Sequence, residues 1–184
     1  MIIETERLIL RNFKPSDLED YWEYVSMPNV GPQAGWPAYT DKNKAEERLL
    51  LESEKEHQFA IMFKADNKVI GSIELMDCKL DRYPNLNIEP NAKEIGFVLS
   101  ENYWKKGIMT EAAKAIVDFA FNVLDVEVIY IGHAEANVGS GKVQDKVGFK
   151  VIGTLPNYRI WTDGQSTNLI ERKLTKTEWF ELNK

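Results

Sequence analysis

Cysteine occurs once in this chain, at Cys78, and histidine only twice, at His57 and His133. One thiol cannot close an internal disulfide or build a cysteine cluster, and two distant histidines do not read as a zinc site. No metal site is expected. Cys78 reads as a free thiol in a reducing compartment rather than as a nucleophile. The sequence also lacks any run of about 20 apolar residues, so nothing reads as a membrane span. The opening MIIETERLILR is too charged for a signal peptide, and the chain is expected to be cytoplasmic. Positive charge is in short supply as well: 23 Lys+Arg face 29 Asp+Glu, for a net charge of -6. That balance argues against nonspecific nucleic-acid binding, which needs a basic face. It leaves a basic protein, such as a ribosomal protein, open as a substrate.

What is present is the composition of a globular domain. Hydrophobic residues make up 43% and charged residues 28% of 184 residues, which suits one domain over 1–184 with a full core. Residues 7–13 alternate around Leu8 and Leu10 as a first strand. Ser16 and Glu19 form a capping box for a helix striped with Leu18, Tyr21, Trp22 and Val25. Residues 29–39 read as a loop containing Trp36 and Pro37, and Thr40 or Asp41 caps a second helix to about residue 55. Strands at 59–63 and 69–75 flank an Asp66-Asn67 hairpin signal. A polar loop at 81–91 follows.

Residues 94–112, EIGFVLSENYWKKGIMTEA, say most about chemistry. A short apolar strand at 94–99 runs through a polar link to Lys105, Lys106 and Gly107, where a helix begins and runs to about residue 124. The first amides of a helix have no partners within it and sit at the positive end of its dipole. Two lysines and a glycine at that point make a seat for a polyphosphate. A glycine there also serves as a plain turn residue. In the helix, Ile108, Ala112, Ile116 and Ala120 recur every four residues, as a core-facing surface requires. Further on come a strand at 126–133, a short helix at 138–147 capped by Gly148, strands at 149–155 and 167–174 joined across an Asp163-Gly164 turn, and a last capped turn at Thr175 and Glu178. Gly139-Ser140-Gly141-Lys142 fails as a P-loop, because Ala136 stands where the first glycine belongs and Val143 where Ser/Thr belongs.

The predicted order is β-α-α-β-β-β-α-β-α-β-β. Strands two to four form an antiparallel meander, and strands four and five a parallel βαβ unit with ligands beyond their carboxyl ends. With this order, three segments resemble the GNAT superfamily of acyl-CoA N-acyltransferases, in the branch of the Rim-type ribosomal-protein N-terminal acetyltransferases. They are Glu6-Arg7-Leu8-Ile9-Leu10-Arg11; Glu94-Ile95-Gly96-Phe97 with Trp104-Lys105-Lys106-Gly107-Ile108-Met109-Thr110-Glu111-Ala112; and Asn137, Ser140, Lys146, Gly148 and Phe149, which match N-x-x-S-x5-K-x-G-F. The resemblance implies an α/β (α+β) fold with a mixed sheet of about seven strands whose fourth and fifth strands splay apart. The family's Q/R-x-x-G-x-G/A signature is altered, with Trp104 at its first position and Met109 at its last. Lys105 replaces a frequent glycine, so a local change of geometry is expected. The tyrosine that serves many relatives as general acid falls at Gln144.

The resemblance further implies acetyl-CoA as donor and a primary amine as acceptor, with direct transfer in a ternary complex. Phe97, Val98 and Leu99 would bind the pantetheine arm as an added strand. Lys105, Lys106, Gly107, Ile108, Met109 and Thr110 would hold the diphosphate. Asn137 would contact the arm, besides capping the helix after it. Glu94 is the first candidate for the base, acting through a water, on one face with Gly96 and Val98, where Gly96 leaves space for a thioester. A solvated strand-end carboxylate is the competing reading of Glu94, and Glu74 and Glu135 are weaker alternatives. The amide of Val98 or Leu99 would meet the developing negative charge. Ser140 would donate to the leaving thiolate, or simply serve its own helix. Trp36, Tyr39 and Tyr83, with Trp161, would line the acceptor site. The acceptor remains open between a protein N-terminus and a small amine (polyamine, amino acid or antibiotic). A non-catalytic acyl-CoA-binding module is a further alternative. Homodimers are implied by the branch alone.

Overall fold

A computed structural model describes residues 1–78, 88–159 and 166–184. Among these residues, eight strands form one sheet in the order β1-β2-β3-β4-β5-β6-β8-β7. The strands are β1 (Ile2–Glu4), β2 (Leu8–Arg11), β3 (Gln58–Phe63), β4 (Lys68–Asp77), β5 (Ala92–Leu99), β6 (Val128–Ala134), β7 (Lys150–Arg159) and β8 (Ser166–Thr175). The α-helices are α1 (Leu18–Val25), α2 (Val30–Ala34), α3 (Lys42–Ser53), α4 (Ile108–Asn122), α5 (Val138–Val147) and α6 (Lys176–Leu182). Every pairing is antiparallel except β5 with β6. The expected fourth and fifth strands are therefore β5 and β6.

The sheet separates two apolar layers. On one face Leu10, Ile61, Ile73, Ile95 and Ile129 pack against Ile108, Ala112, Ile116 and Ala120 of α4. The four-residue repeat thus marks the buried stripe of that helix. On the other face α1 and α3 place Tyr21, Tyr24, Val25, Ala45 and Leu49 against Ala60 and Val69. Burying a side chain of this size contributes roughly 1.5–3 kcal/mol.

Several elements differ from expectation. β1 is an added edge strand, so the sheet has eight strands and not about seven. Ser16 does not cap α1. It lies in a 3-10 turn at Pro15–Asp17, and the local carboxylate is Asp17, which accepts from the Lys14 amide at 2.8 Å and from both terminal nitrogens of Arg11. Drawn back to the Arg11 guanidinium and the Lys14 amide, the Asp17 carboxylate makes no cap bond to α1 either. The expected loop at 29–39 contains α2, which tolerates Pro32 in its first turn and ends at Gly35 with φ 88°. The last turn is a full helix, α6, with the Thr175–Glu178 capping box in place. The Asp163-Gly164 turn lies outside the described residues, as does most of the 81–91 loop.

Candidate active site

The parallel pair β5–β6 is short. It registers only Ala92↔Val128, Lys93↔Ile129 and Glu94↔Tyr130. β5 then runs on to Leu99 beside β4, while β6 turns to β8. The two strands part beyond Glu94, as expected of the fourth and fifth strands.

Two hydrogen bonds fix which main-chain groups face the gap. Just past the last β4–β5 pair, the Ser100 amide donates to the Ile70 carbonyl at 2.8 Å. Just before the β5–β6 pair, the Glu127 amide donates to the Asn91 carbonyl at 3.0 Å. Main-chain groups alternate in direction along a strand. Hence Glu94, Gly96 and Val98 spend theirs on β4, and Ile95, Phe97 and Leu99 turn theirs toward the gap. The β4–β5 register is unbroken from Gly71↔Leu99 to Asp77↔Lys93, so no bulge in β5 alters this parity. The expectation of a free Val98 amide is thereby corrected, because that amide is directed at Ser72. Leu99 and Phe97 carry the outward amides. The Leu99 carbonyl is taken by the Trp104 indole N–H at 2.8 Å. The close approach of β4 depends on Gly71, where a β-carbon would fall 2.3 Å from the Val98 carbonyl oxygen.

The gap leads to the start of α4. Gly107 is the N-cap at φ 75° and offers no side chain to the first-turn amides. The atom nearest to where its β-carbon would stand is a guanidinium nitrogen of Arg7, 3.7 Å away, so the glycine leaves the turn approachable. Ile108 and Met109 bury their side chains in the core and present only main chain at the turn. Lys105 and Lys106 are exposed, with the Lys106 ammonium 5.1 Å from the Tyr103 ring centre; Thr110 is half-buried. Lys105 itself adopts φ 62°. The lysine thus holds a left-handed φ of the kind that glycine adopts without strain.

A clamp invisible to motif reading holds this turn. Glu111, in the first turn of α4, accepts from the Thr5 hydroxyl at 2.6 Å, the Arg7 amide at 2.9 Å and Arg7 Nε at 2.7 Å. Arg7 Nη1 also donates to the Lys106 carbonyl at 3.0 Å. Burial alone would raise the Glu111 carboxyl, but bonds from Thr5 and Arg7 and the Arg7 charge pull it below the usual range. The sequence signal was the Arg7 of the opening segment, read there only as resemblance.

Glu94 is buried, at 4% exposure, and sits at the point of parting, registered with both Met76 and Tyr130. It is not the solvated strand end of the competing reading. It shares a sheet face with Gly96 and Val98, as expected. The room over Gly96 is partly filled, because a β-carbon there would lie 3.1 Å from the Met76 methyl. Cys78 lies near enough to feel the Glu94 charge. Burial first, then Glu94 and Asp77, push its thiol up to about 12, which leaves it protonated and unreactive.

The weaker carboxylates are spoken for. Glu74 receives Lys55 Nζ at 2.9 Å and, in the sensible amide orientation, Gln58 at 3.0 Å. Exposed Glu135 accepts from Asn168 at 2.9 Å. Trp36 and Tyr39 meet edge to face at 5.7 Å and pack against the same apolar layer as Val98. They therefore lie on the Glu94 face of the sheet. Tyr83 and Trp161 are outside the described residues.

Beyond β6, Asn137 caps α5, its Oδ1 accepting from the Ser140 amide at 3.0 Å. Its Nδ2 donates to the Gln33 carbonyl of α2 at 2.9 Å, a bond that joins α2 to the α5 start. Ser140 Oγ accepts from Gln144 Nε2 at 3.0 Å, and Gln144 Oε1 lies 3.0 Å from His133 Nδ1. Gln144 has no exposed surface. Sequence reading saw there only a missing tyrosine, although the i, i+4 spacing from Ser140 was legible.

The residues fit a CoA thioester on structural grounds. A strand edge with outward main-chain groups can take an extended arm, and an approachable glycine N-cap can take a diphosphate. Among the described residues, no helix is long and apolar enough to cross a membrane.

Comparison with known proteins agrees. Residues 7–150 match the family described as the acetyltransferase (GNAT) domain. An uncharacterized N-acetyltransferase, p20, of Bacillus licheniformis is 27% identical over 159 residues, covering 84% of this chain and 85% of that protein. A GNAT acetyltransferase structure from Bacillus anthracis superposes with a TM-score of 0.82 at 22% identity, over 97% of this chain and 100% of the other. The ribosomal-protein-S5-alanine acetyltransferase of Vibrio fischeri gives 0.75 at 24% identity, over 97% and 98%. The spermidine N-acetyltransferase of Vibrio cholerae, solved with CoA and spermine, gives 0.76 at 17% identity, over 96% and 99%. A parted β5–β6 pair, a glycine-capped α4 and a family match over most of the sequence converge on one assignment: this chain belongs to the GNAT acetyltransferases and is an acetyl-CoA-dependent N-acetyltransferase.

Proposed function

We propose that residues 1–184 act as one catalytic domain that acetylates a primary amine, with a protein N-terminal α-amine as the favoured acceptor. The observation that carries the reading is the parting of β5 from β6 at Glu94, with the outward amides of Phe97 and Leu99 leading to the Gly107 turn. When bound, acetyl-CoA supplies the acetyl group as a thioester. Main-chain groups of Phe97 and Leu99 hold the extended arm. Lys105, Lys106 and the amides of Gly107, Ile108, Met109 and Thr110 hold the diphosphate, and Asn137 supports the arm through its second amide hydrogen. The Leu99 N–H faces the negative charge that develops on the carbonyl oxygen.

Glu94 removes the proton from the acceptor ammonium through a water. An α-amine, with pKa near ~7.7–8.0, needs less help from such a base than a lysine amine near ~10.4. That difference favours an N-terminal acceptor for a buried glutamate remote from bulk solvent. The likeness to the Vibrio fischeri enzyme supports the same choice. A polyamine is the second reading, favoured by the net charge of -6 and by the spermine held in the Vibrio cholerae structure. Trp36 and Tyr39, on the Glu94 face, line the approach in either case. Homodimerisation belongs to the same proposal, by likeness to the branch.

Free CoA release measured against a panel of peptides with free N-termini, polyamines and amino acids tests the reading. Turnover with the peptides is expected to exceed that with spermidine; the reverse order would replace the favoured acceptor, and no release with any amine would return the chain to an acyl-CoA-binding role. Glu94→Gln is expected to slow turnover by about 10²–10⁴-fold near neutral pH and to regain part of it at alkaline pH. A rate unchanged across pH would remove Glu94 from the mechanism.

A further inference from the structure

Between β6 and α5 lies a polar chain in an otherwise apolar layer. His133, at 9% exposure, and Gln144, at 0%, are both buried, and Ser140 is half-buried in the first turn of α5. The orientation of the chain follows from the placement of the Gln144 amide, with Nε2 toward Ser140 and Oε1 toward His133. Gln144 Nε2 can only donate, so Ser140 Oγ accepts its bond at 3.0 Å. Gln144 Oε1 can only accept, so His133 Nδ1 carries the proton in the 3.0 Å contact. A hydroxyl that accepts from within still has its own proton to place, and the nearby Asn137 Oδ1 already accepts from the Ser140 amide at 3.0 Å. The Ser140 hydroxyl, accepting from Gln144, can turn its own proton away from α5.

We propose that Gln144 and His133 are positioning residues that hold the Ser140 hydroxyl as an outward hydrogen-bond donor to the sulfur of the departing CoA. Direction runs one way along the chain, from His133 Nδ1–H to Gln144 Oε1, from Gln144 Nε2–H to Ser140 Oγ, and from Ser140 O–H outward. No proton is transferred; Ser140 keeps its own and stabilises the thiolate by one charge-assisted bond. The arrangement fills the place of the tyrosine carried by relatives at position 144. Among the described residues, the charges acting on His133 are those of Arg172 from β8 and Asp145 from α5. Arg172 and Asp145 are paired with each other. Burial, then the Arg172 charge, lower the His133 imidazole below its usual value and favour the neutral ring, whose tautomer is set by the contact with Gln144 Oε1.

This inference rests on the thiolate role that the family resemblance implies for Ser140, and the experiment separates the two. Gln144→Glu keeps the shape and both hydrogen bonds, but a carboxylate can only accept, so the Ser140 proton turns inward. A merely structural Gln144 predicts that this variant loses stability to the buried charge while the kcat of the folded enzyme stays that of the parent. The positioning role predicts a fall in kcat of about 10–100-fold, equal to that of Ser140→Ala, with the KM for acetyl-CoA unchanged. In the Ser140→Ala background, Gln144→Glu is expected to add nothing; a further fall there would assign the effect to the new charge and overturn the proposal. A second readout needs no turnover. The thiol of bound CoA, followed by its thiolate absorbance against pH, is expected to ionise below the ordinary value of about 8.5 in the parent and about one to two units higher in either variant. Unchanged kcat and thiol ionisation in Ser140→Ala would refute the Ser140 role itself, whereas changes in Ser140→Ala without matching changes in Gln144→Glu would refute only the positioning role.

Discussion

Lys105 shows how a single residue can store strain at the entry to a glycine-capped helix. Its φ of 62° places a β-carbon in the left-handed region, which costs an ordinary residue about 1–2 kcal/mol. Gly107, two positions on, adopts φ 75° without that penalty. Two left-handed residues thus flank Lys106 at the entry to α4, and at Lys105 the backbone carries a side chain there at a cost that Gly107 avoids. Lys105→Gly is therefore expected to stabilise the free protein by about 1 kcal/mol, read as a higher urea midpoint at constant m. The same change removes one positive charge, so CoA is expected to bind several-fold more weakly with a shallower salt dependence. A variant less stable than the parent would mean that the lysine side chain contributes more to the turn than its backbone costs.

At the scale of elements, the junction between the first strands and α4 decides whether the turn keeps its shape. Glu111 ties Thr5 and Arg7 to the helix start, and its negative charge lies at the positive end of the helix. Glu111→Gln keeps an acceptor for Thr5 but loses the charged bond to Arg7, at an expected cost of about 1.5–3 kcal/mol. The sign of the pH dependence follows from a carboxyl held below its unfolded value near ~4.3. Its contribution is fully present above that value and disappears as pH falls through the lower folded value. The stability gap between parent and Glu111→Gln, from urea unfolding at a series of pH values, is expected to be level from pH 7 to about 5 and to close below about 4. A gap that widened in acid would break the assignment. This clamp was not legible in the sequence, because Arg7 and Glu111 are far apart in the chain and nothing local pairs them. By contrast, α5 was read to its last residue, since Asn137 and Gly148 mark both ends by local chemistry alone. The cap of α1 was misread for the opposite reason: Ser16 fits the local rule, but Arg11 draws Asp17 into the position.

For the whole molecule, the order of elements could be read from periodicity and the parting of strands was implied by the family resemblance, while the direction of each amide could not be read from either. Alternation gave Glu94, Gly96 and Val98 one face. Which set of main-chain groups faced the gap waited on pairing partners at either end of β5, Ile70 and Glu127, that no local pattern names. That parity makes a prediction about how the sheet responds to its ligand. CoA bound along β5 would extend the pairing that β6 abandons after Glu94, so the largest gain should be at amides facing the gap. Amide exchange followed by NMR is expected to be fast for Phe97 and Leu99 in the free protein and slowed by CoA, with Ile108, Met109 and Thr110 slowed beside them. Gly96 and Val98, already bonded to β4, are expected to be protected with or without ligand. Global stability should rise in parallel, by about 2.7 kcal/mol when CoA stands at a hundred times its Kd, because only the folded chain presents this edge. The two measurements check each other. A stability gain without new protection at Phe97 and Leu99 would mean that CoA binds elsewhere on the fold, and protection gained at Val98 instead would mean that β5 pairs with β4 in the opposite phase, which would move the outward amides, and the charge they meet, by one residue.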